Sequence, residues 1–122
     1  MSKDLKVLIC DDSALVRKQM TKIFSSQGIS NIFEAVDGEQ AVIKYAEVMP
    51  DVVFMDIVMP KKTGVDALKD IMSLNPAAKV VMASSVGTQA NLKDAIENGA
   101  YDFIQKPLSE DSVVKILEKI NE

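Results

Sequence analysis

Histidine and tryptophan are absent from this 122-residue sequence, and cysteine occurs once. Without histidine the chain alone cannot assemble a Ser-His-Asp or Cys-His nucleophile, a His-ligated zinc site or a histidine phosphocarrier. The lone Cys10 excludes an internal disulfide and any multi-cysteine metal site, and suits a reducing compartment. Long apolar runs are also missing. Stretches such as 52–55 and 80–83 have strand length, far short of the roughly 20 residues that span a bilayer. The start, Met1-Ser2-Lys3-Asp4, lacks the apolar run of a signal peptide. The expectation is a cytoplasmic protein with no membrane association. Excess positive charge is lacking too: 14 Lys+Arg stand against 18 Asp+Glu, a net charge of −4. That balance argues against binding nucleic acid through a broad basic surface. No glycine-rich phosphate loop can be built around Gly28, Gly38, Gly64, Gly87 or Gly99. Any catalysis must rest on carboxylates, hydroxyls and lysines.

What is present is an ordinary globular composition, 48% hydrophobic and 26% charged. The length fits one domain over 1–122 that buries roughly two-thirds of the unfolded chain's surface. The run 7–10 is continuously apolar, as in a strand covered on both faces. Ser13 can cap a helix bearing Val16, Met20, Ile23 and Phe24 on one face, with Arg17, Lys18 and Lys22 elsewhere and Gly28 at its end. A strand over 31–36 precedes Asp37-Gly38 and a helix through Ala41, Val42, Tyr45 and Ala46, stopped by Pro50. Further strands are expected over 51–55, 79–83 and 101–105. Helices are expected through Val65, Leu68, Ile71 and Met72, over 88–98 closed by Gly99, and over 109–121. This (βα)5 alternation implies a parallel sheet with helices on both faces. Five strands are too few for an eight-stranded barrel, leaving an open, doubly wound α/β sheet.

In such a sheet the functional residues gather at the strands' carboxyl ends. Those ends read Asp11-Asp12, Asp56, Ser84-Ser85 and Lys106-Pro107, while the second strand ends unremarkably at Val36-Asp37. Clustered carboxylates need a cation or must take up protons. With only oxygen ligands on offer, the fitting ion is hard and divalent, Mg²⁺ foremost. A carboxylate can also attack phosphorus to form an aspartyl-phosphate. A metal bound by Asp12 and Asp56, the Lys106 ammonium and the Ser84 hydroxyl would together cage the three phosphoryl oxygens.

These residues carry a resemblance. The segments KVLICDDSALVR, EAVDGEQAV, PDVVFMDIVMP, KVVMASSVG and NGAYDFIQKPL resemble, end to end and in order, the response-regulator receiver domains of two-component signalling, most closely the stand-alone chemotaxis regulators of the CheY type. The resemblance implies the flavodoxin-like strand order 2-1-3-4-5. Asp56 would be the phosphoacceptor, charged by a sensor histidine kinase or a histidine phosphotransfer protein. Asp11, Asp12, Asp56 and the backbone carbonyl of Val58 would hold Mg²⁺. Ser84 would be the switch hydroxyl, Phe103 the switch aromatic and Lys106 the family's lysine, with Pro107 following it in cis. The output would be a protein target bound on the face of the fourth helix, fifth strand and fifth helix. Such a domain catalyses only its own phosphorylation and dephosphorylation.

Some positions depart from the family pattern. Lys62 replaces an apolar residue, which would alter kinase docking or put a cation beside the phosphate. Ser85 stands where Ala or Gly is usual. Plainer roles also exist: Asp12 could cap the first helix, Asp56 could be a turn residue, Lys106 a solvated lysine, and Cys10 and Phe103 simply core. Two other functions compete. A haloacid-dehalogenase-type phosphatase would carry Asp-x-Asp after the first strand, where this chain has Asp-Asp-Ser. A receiver cut from a longer regulator, DNA-binding or methylesterase, would share the Asp-Asp-Ser-Ala-Leu run.

Overall fold

The structure, a computed structural model, describes residues 5–85 and 90–120. Along the chain it runs β1 (Lys6–Cys10), α1 (Ala14–Ser26), β2 (Asn31–Ala35), α2 (Gly38–Val48) and β3 (Val52–Asp56), then α3 (Gly64–Leu74), β4 (Val80–Ser84), α4 (Ala90–Glu97), β5 (Asp102–Gln105) and α5 (Glu110–Ile120). All four pairings are parallel, and the strand order is β2-β1-β3-β4-β5. The doubly wound α/β fold and its order are therefore as expected. The apolar runs explain the arrangement: β3 and β4 are buried at every residue, while the edge strands β2 and β5 are buried at one residue each.

Alternation along the strands divides the interior into two cores. On one face, Leu8, Val53, Met55, Val80 and Met82 pack with Tyr45 of α2, Leu68 and Ile71 of α3, and Ala95 of α4. On the other, Val7, Ile9, Phe54 and Val81 meet Phe24 of α1 and Val113 and Leu117 of α5. The Phe24 and Phe54 rings meet there at 5.1 Å, tilted by 59°.

Helix boundaries follow local chemistry. Ser13, Asp37 and Thr63 cap α1, α2 and α3, each side chain accepting a backbone N–H of the first turn. Gly28, at φ +82°, follows the last turn of α1, where a left-handed residue suits glycine. The strands expected over 51–55 and 79–83 each sit one residue further on, because Asp56 pairs with Ala83 and Ser84 with Gln105 in the ladder. The first residues expected of the fourth helix, 88 and 89, and the last of the fifth, Asn121, lie outside the described residues, as does Gly87. Ser109 stands just outside α5, its hydroxyl accepting the Ser112 N–H. Among the described residues no helix is long and apolar enough to cross a membrane.

Candidate acidic site

The strand order reverses between β1, whose onward connection leads to β2, and β3, which lies on its other side. A crevice therefore opens between their carboxyl ends. Asp11 follows β1 directly, and Asp56 is the last residue of β3. One carboxylate oxygen each from Asp11, Asp12 and Asp56 fall within 4.8 Å of one another. Asp11 and Asp56 are 2% and 9% exposed, whereas Asp12 faces solvent. Asp12 does not cap α1; Ser13 does, through Oγ to the Val16 N–H at 3.3 Å.

Lys106 joins the cluster from the far side of the sheet. Its Nζ lies 2.7 Å from Asp11 Oδ2 and 3.3 Å from Asp56 Oδ2, so it is no solvated surface lysine. Its backbone N–H donates to the Ser84 carbonyl at 2.6 Å, and the Lys106–Pro107 peptide is cis. The second Asp11 oxygen accepts the Ser13 N–H at 2.9 Å. Burial, then the neighbouring Asp11 charge, raise the Asp56 carboxyl above its ordinary range. Lys106 and the Val58 N–H oppose that rise without cancelling it. Burial works against the charged form of Lys106 as well, but its hydrogen bond to Asp11 and the charges of Asp56 and Asp11 hold its pKa above the usual lysine value. The pocket thus contains more negative charge than its one lysine neutralises, and an added cation would relieve it.

The loop after β3 is fixed by close approach. The Ile57 N–H donates to Ala83 O, and the Gly64 N–H donates to Ile57 O at 2.8 Å. A Cβ on Gly64 would stand 2.0 Å from the Asp56 carbonyl oxygen, so only glycine lets α3 start against the end of β3. Val58 lies on this loop with its side chain 59% exposed, on the same carboxyl edge as the acids. With carboxylate and carbonyl oxygens as the available donors, the group fits a hard divalent ion such as Mg²⁺.

Ser84, 2% exposed, closes β4 beside this crevice. Phe103 is not core: it is 47% exposed on edge strand β5, level with Met82 and hence on the α4 side of the sheet. Cys10 is core as expected, and its burial pushes the thiol pKa far up. Lys62 does not stand free as a cation for a phosphate, because its Nζ is bonded to the Asp70 carboxylate of α3. The end of β2, unremarkable in sequence, is structured: Asp37 is 4% exposed, caps α2 and faces Lys61 Nζ at 3.8 Å. In the sequence Arg17 belongs only to the polar face of α1, yet in the fold it reaches the acidic cluster. Its guanidinium bonds the Asp11 carbonyl at 2.7 Å and Glu34 at 2.9 Å. An arginine one turn past a helix N-cap that follows two aspartates was the available signal.

A family profile described as the response regulator receiver domain matches residues 7–118. The chemotaxis protein CheY of Thermotoga maritima is 44% identical over 116 residues, 95% of this chain and 97% of that protein. The chain is also 44% identical to a protein-glutamate methylesterase/protein-glutamine glutaminase of Methanococcus maripaludis, but spans only 34% of its length. Among solved structures, the CheX-CheY-BeF3-Mg complex from Borrelia burgdorferi superposes with a TM-score of 0.90 at 41% identity, covering 97% of this chain and 90% of that one. This chain belongs to the response regulator receiver domain family and is closely related to the CheY chemotaxis proteins.

Proposed function

We propose that residues 1–122 form a single receiver domain that acts as a phosphorylation-activated switch in a chemotaxis-type two-component pathway, with Asp56 as the acceptor. The observation that carries this reading is the convergence of Asp11, Asp12 and Asp56 within 4.8 Å, bridged by Lys106. In the transfer, an Asp56 oxygen attacks the phosphorus of a phosphohistidine on a sensor kinase or histidine phosphotransfer protein. The P–N bond breaks, its electron pair returns to the imidazole, and that nitrogen takes a proton from solvent. Lys106 holds one phosphoryl oxygen by charge, and Ser84 donates its hydroxyl to another. Asp11, Asp12, Asp56 and the Val58 carbonyl would hold Mg²⁺, which when bound offsets the clustered negative charge and polarises the phosphoryl group.

The output is protein binding, with no direct nucleic-acid or membrane contact, and no turnover of a separate substrate. The α4–β5–α5 face is the surface we assign to the target. Phe103 and Ile96, 47% and 54% exposed, supply apolar contact there. The 44% identity to a CheY chemotaxis protein supports the chemotaxis-type reading. The equal identity to a methylesterase favours, as a second reading, a receiver that controls an attached or separate enzyme.

Incubation with Mg²⁺ and acetyl phosphate should add one base-labile phosphate, located by mass spectrometry at Asp56 and lost in Asp56→Asn. No phosphate gain, or gain that persists in Asp56→Asn, would overturn the proposal. Lys106→Ala should still accept phosphate but no longer couple it to target affinity. Sustained release of phosphate from many monoesters would point instead to a phosphatase.

A further inference from the structure

Asp11 is held at four points. Its N–H donates to the Ala35 carbonyl of β2 at 3.1 Å, and its carboxylate oxygens engage the Ser13 N–H and Lys106. The fourth tie is to its main-chain carbonyl, which accepts from Arg17 Nη1 at 2.7 Å. The same guanidinium is aimed by Glu34 on β2, whose Oε1 lies 2.9 Å from Nε. The Arg17 side chain is only 15% exposed, although its partner Glu34 is half exposed. Its backbone is equally fixed: the Arg17 N–H donates to Ser13 O, and its carbonyl accepts the Thr21 hydroxyl.

The carbonyl that Arg17 grips belongs to the peptide joining Asp11 to Asp12. Because a peptide unit is planar, fixing that oxygen fixes the direction in which Asp12 leaves the plane. Asp12 faces solvent, and lies beyond the last ladder residue of β1, so the sheet does not orient it. We infer that Arg17, aimed by Glu34, is a positioning residue that sets the Asp11–Asp12 peptide and thereby preorganises the two carboxylates for a divalent cation. The inference rests on the receiver reading of the acidic pocket, but concerns a pair outside the ligand set.

Positioning and plain charge make opposite forecasts. A guanidinium near a cation site repels the cation, so if charge were its whole effect, removing it would tighten metal binding. If the fork matters, replacement loosens binding even when charge is kept, since an ammonium cannot bridge a carbonyl and a carboxylate in one plane. Partners just outside a metal's ligand shell are commonly worth 10–100-fold in affinity.

The experiment is an Mg²⁺ titration of the full chain followed by two-dimensional NMR, on the wild type and Arg17→Ala, Arg17→Lys and Glu34→Gln. Circular dichroism melts would establish that each variant is folded at the titration temperature. We expect about tenfold weaker Mg²⁺ binding in both Arg17 variants. Glu34→Gln, which can still accept the Nε proton, should stay within about threefold of wild type, on the view that geometry outweighs charge. Without metal, the Asp12 amide nitrogen should shift in both Arg17 variants, since its peptide loses the bond to the carbonyl, and remain near its wild-type position in Glu34→Gln. Equal or tighter binding in Arg17→Ala, or wild-type affinity in Arg17→Lys, would overturn the inference while leaving the receiver reading intact. A wild type that binds no Mg²⁺ at millimolar concentration would overturn both.

Discussion

Helices α3 and α4 cover the same face of the sheet, yet the chain attaches them very differently. α3 buries five of its eleven residues, Gly64, Val65, Ala67, Leu68 and Ile71, and begins against the end of β3 at the close contact of Gly64 with Asp56. α4 buries Ala95 alone among eight, with Leu92 half-buried and Ile96 exposed. The strand beside it repeats the contrast, since β5 buries one residue where β3 buries five. The side of the domain that carries Asp56, the proposed acceptor, is therefore fixed in position, and the α4–β5 side is held by little apolar contact. A charge added at a rigid site can be read only by an element with a second arrangement close in free energy, and weak burial is what permits one.

The largest test of this contrast is truncation of matched leucines. Leu68→Ala, at a fully buried site in α3, should cost about 3 kcal/mol of unfolding free energy. Leu92→Ala in α4 should cost under about 1 kcal/mol, because less surface returns to water. Denaturant melts of the two variants would measure the difference, and equal losses would break the comparison. Next in size, Gly64→Ala should destabilise by about 2 kcal/mol and disturb Asp56, because its Cβ has no room beside the Asp56 carbonyl. An unchanged melt, with wild-type amide shifts at residues 56–58, would contradict that packing.

A smaller effect follows from the raised Asp56 pKa. In the unfolded chain this carboxyl ionises near its ordinary 3.8, and in the folded one at higher pH. The folded state therefore binds more protons across that window, and stability falls as pH rises through it. Asp56→Asn should accordingly be more stable than wild type at pH 7 without divalent cations, the gap closing below pH 4. Millimolar Mg²⁺ should narrow the gap at pH 7 by stabilising the wild type. A variant less stable than wild type at pH 7 would reverse the sign.

Much of this was legible in the sequence because it depends on local pattern. Apolar runs such as 7–10 and 52–55 mark buried parallel strands, and Ser13, Pro50 and Gly28 punctuate the helices around them. Once the alternation is read, topology carries Asp11, Asp56, Ser84 and Lys106 to one edge. What could not be read depends on partners distant in the chain. Lys106 bridges Asp11 and Asp56 only after β4 and β5 stack beside β3. Of the two roles open to Lys62, kinase docking or a cation beside the phosphate, the second is countered by its ion pair with Asp70, about two turns along α3. Phe103, the switch aromatic of the resemblance, had core as its plainer role because a phenylalanine in a strand is usually buried, but an edge strand beside a short, lightly buried helix leaves it half in solvent. Arg17 gave the faintest signal of all, since its two partners come from β2 and from the main chain of β1's end.

If Asp56 accepts phosphate as proposed, the added charge is read on the α4–β5 side and not in α3. Amide hydrogen exchange resolved by NMR, with Mg²⁺ and with or without acetyl phosphate, tests it most directly. Exchange at Ala95, Ile96 and Phe103 should change at least severalfold on phosphorylation, while α3 amides around Leu68 hold constant and Asp56→Asn shows no response. Changes confined to the immediate neighbours of Asp56, or equal changes in α3 and α4, would contradict it.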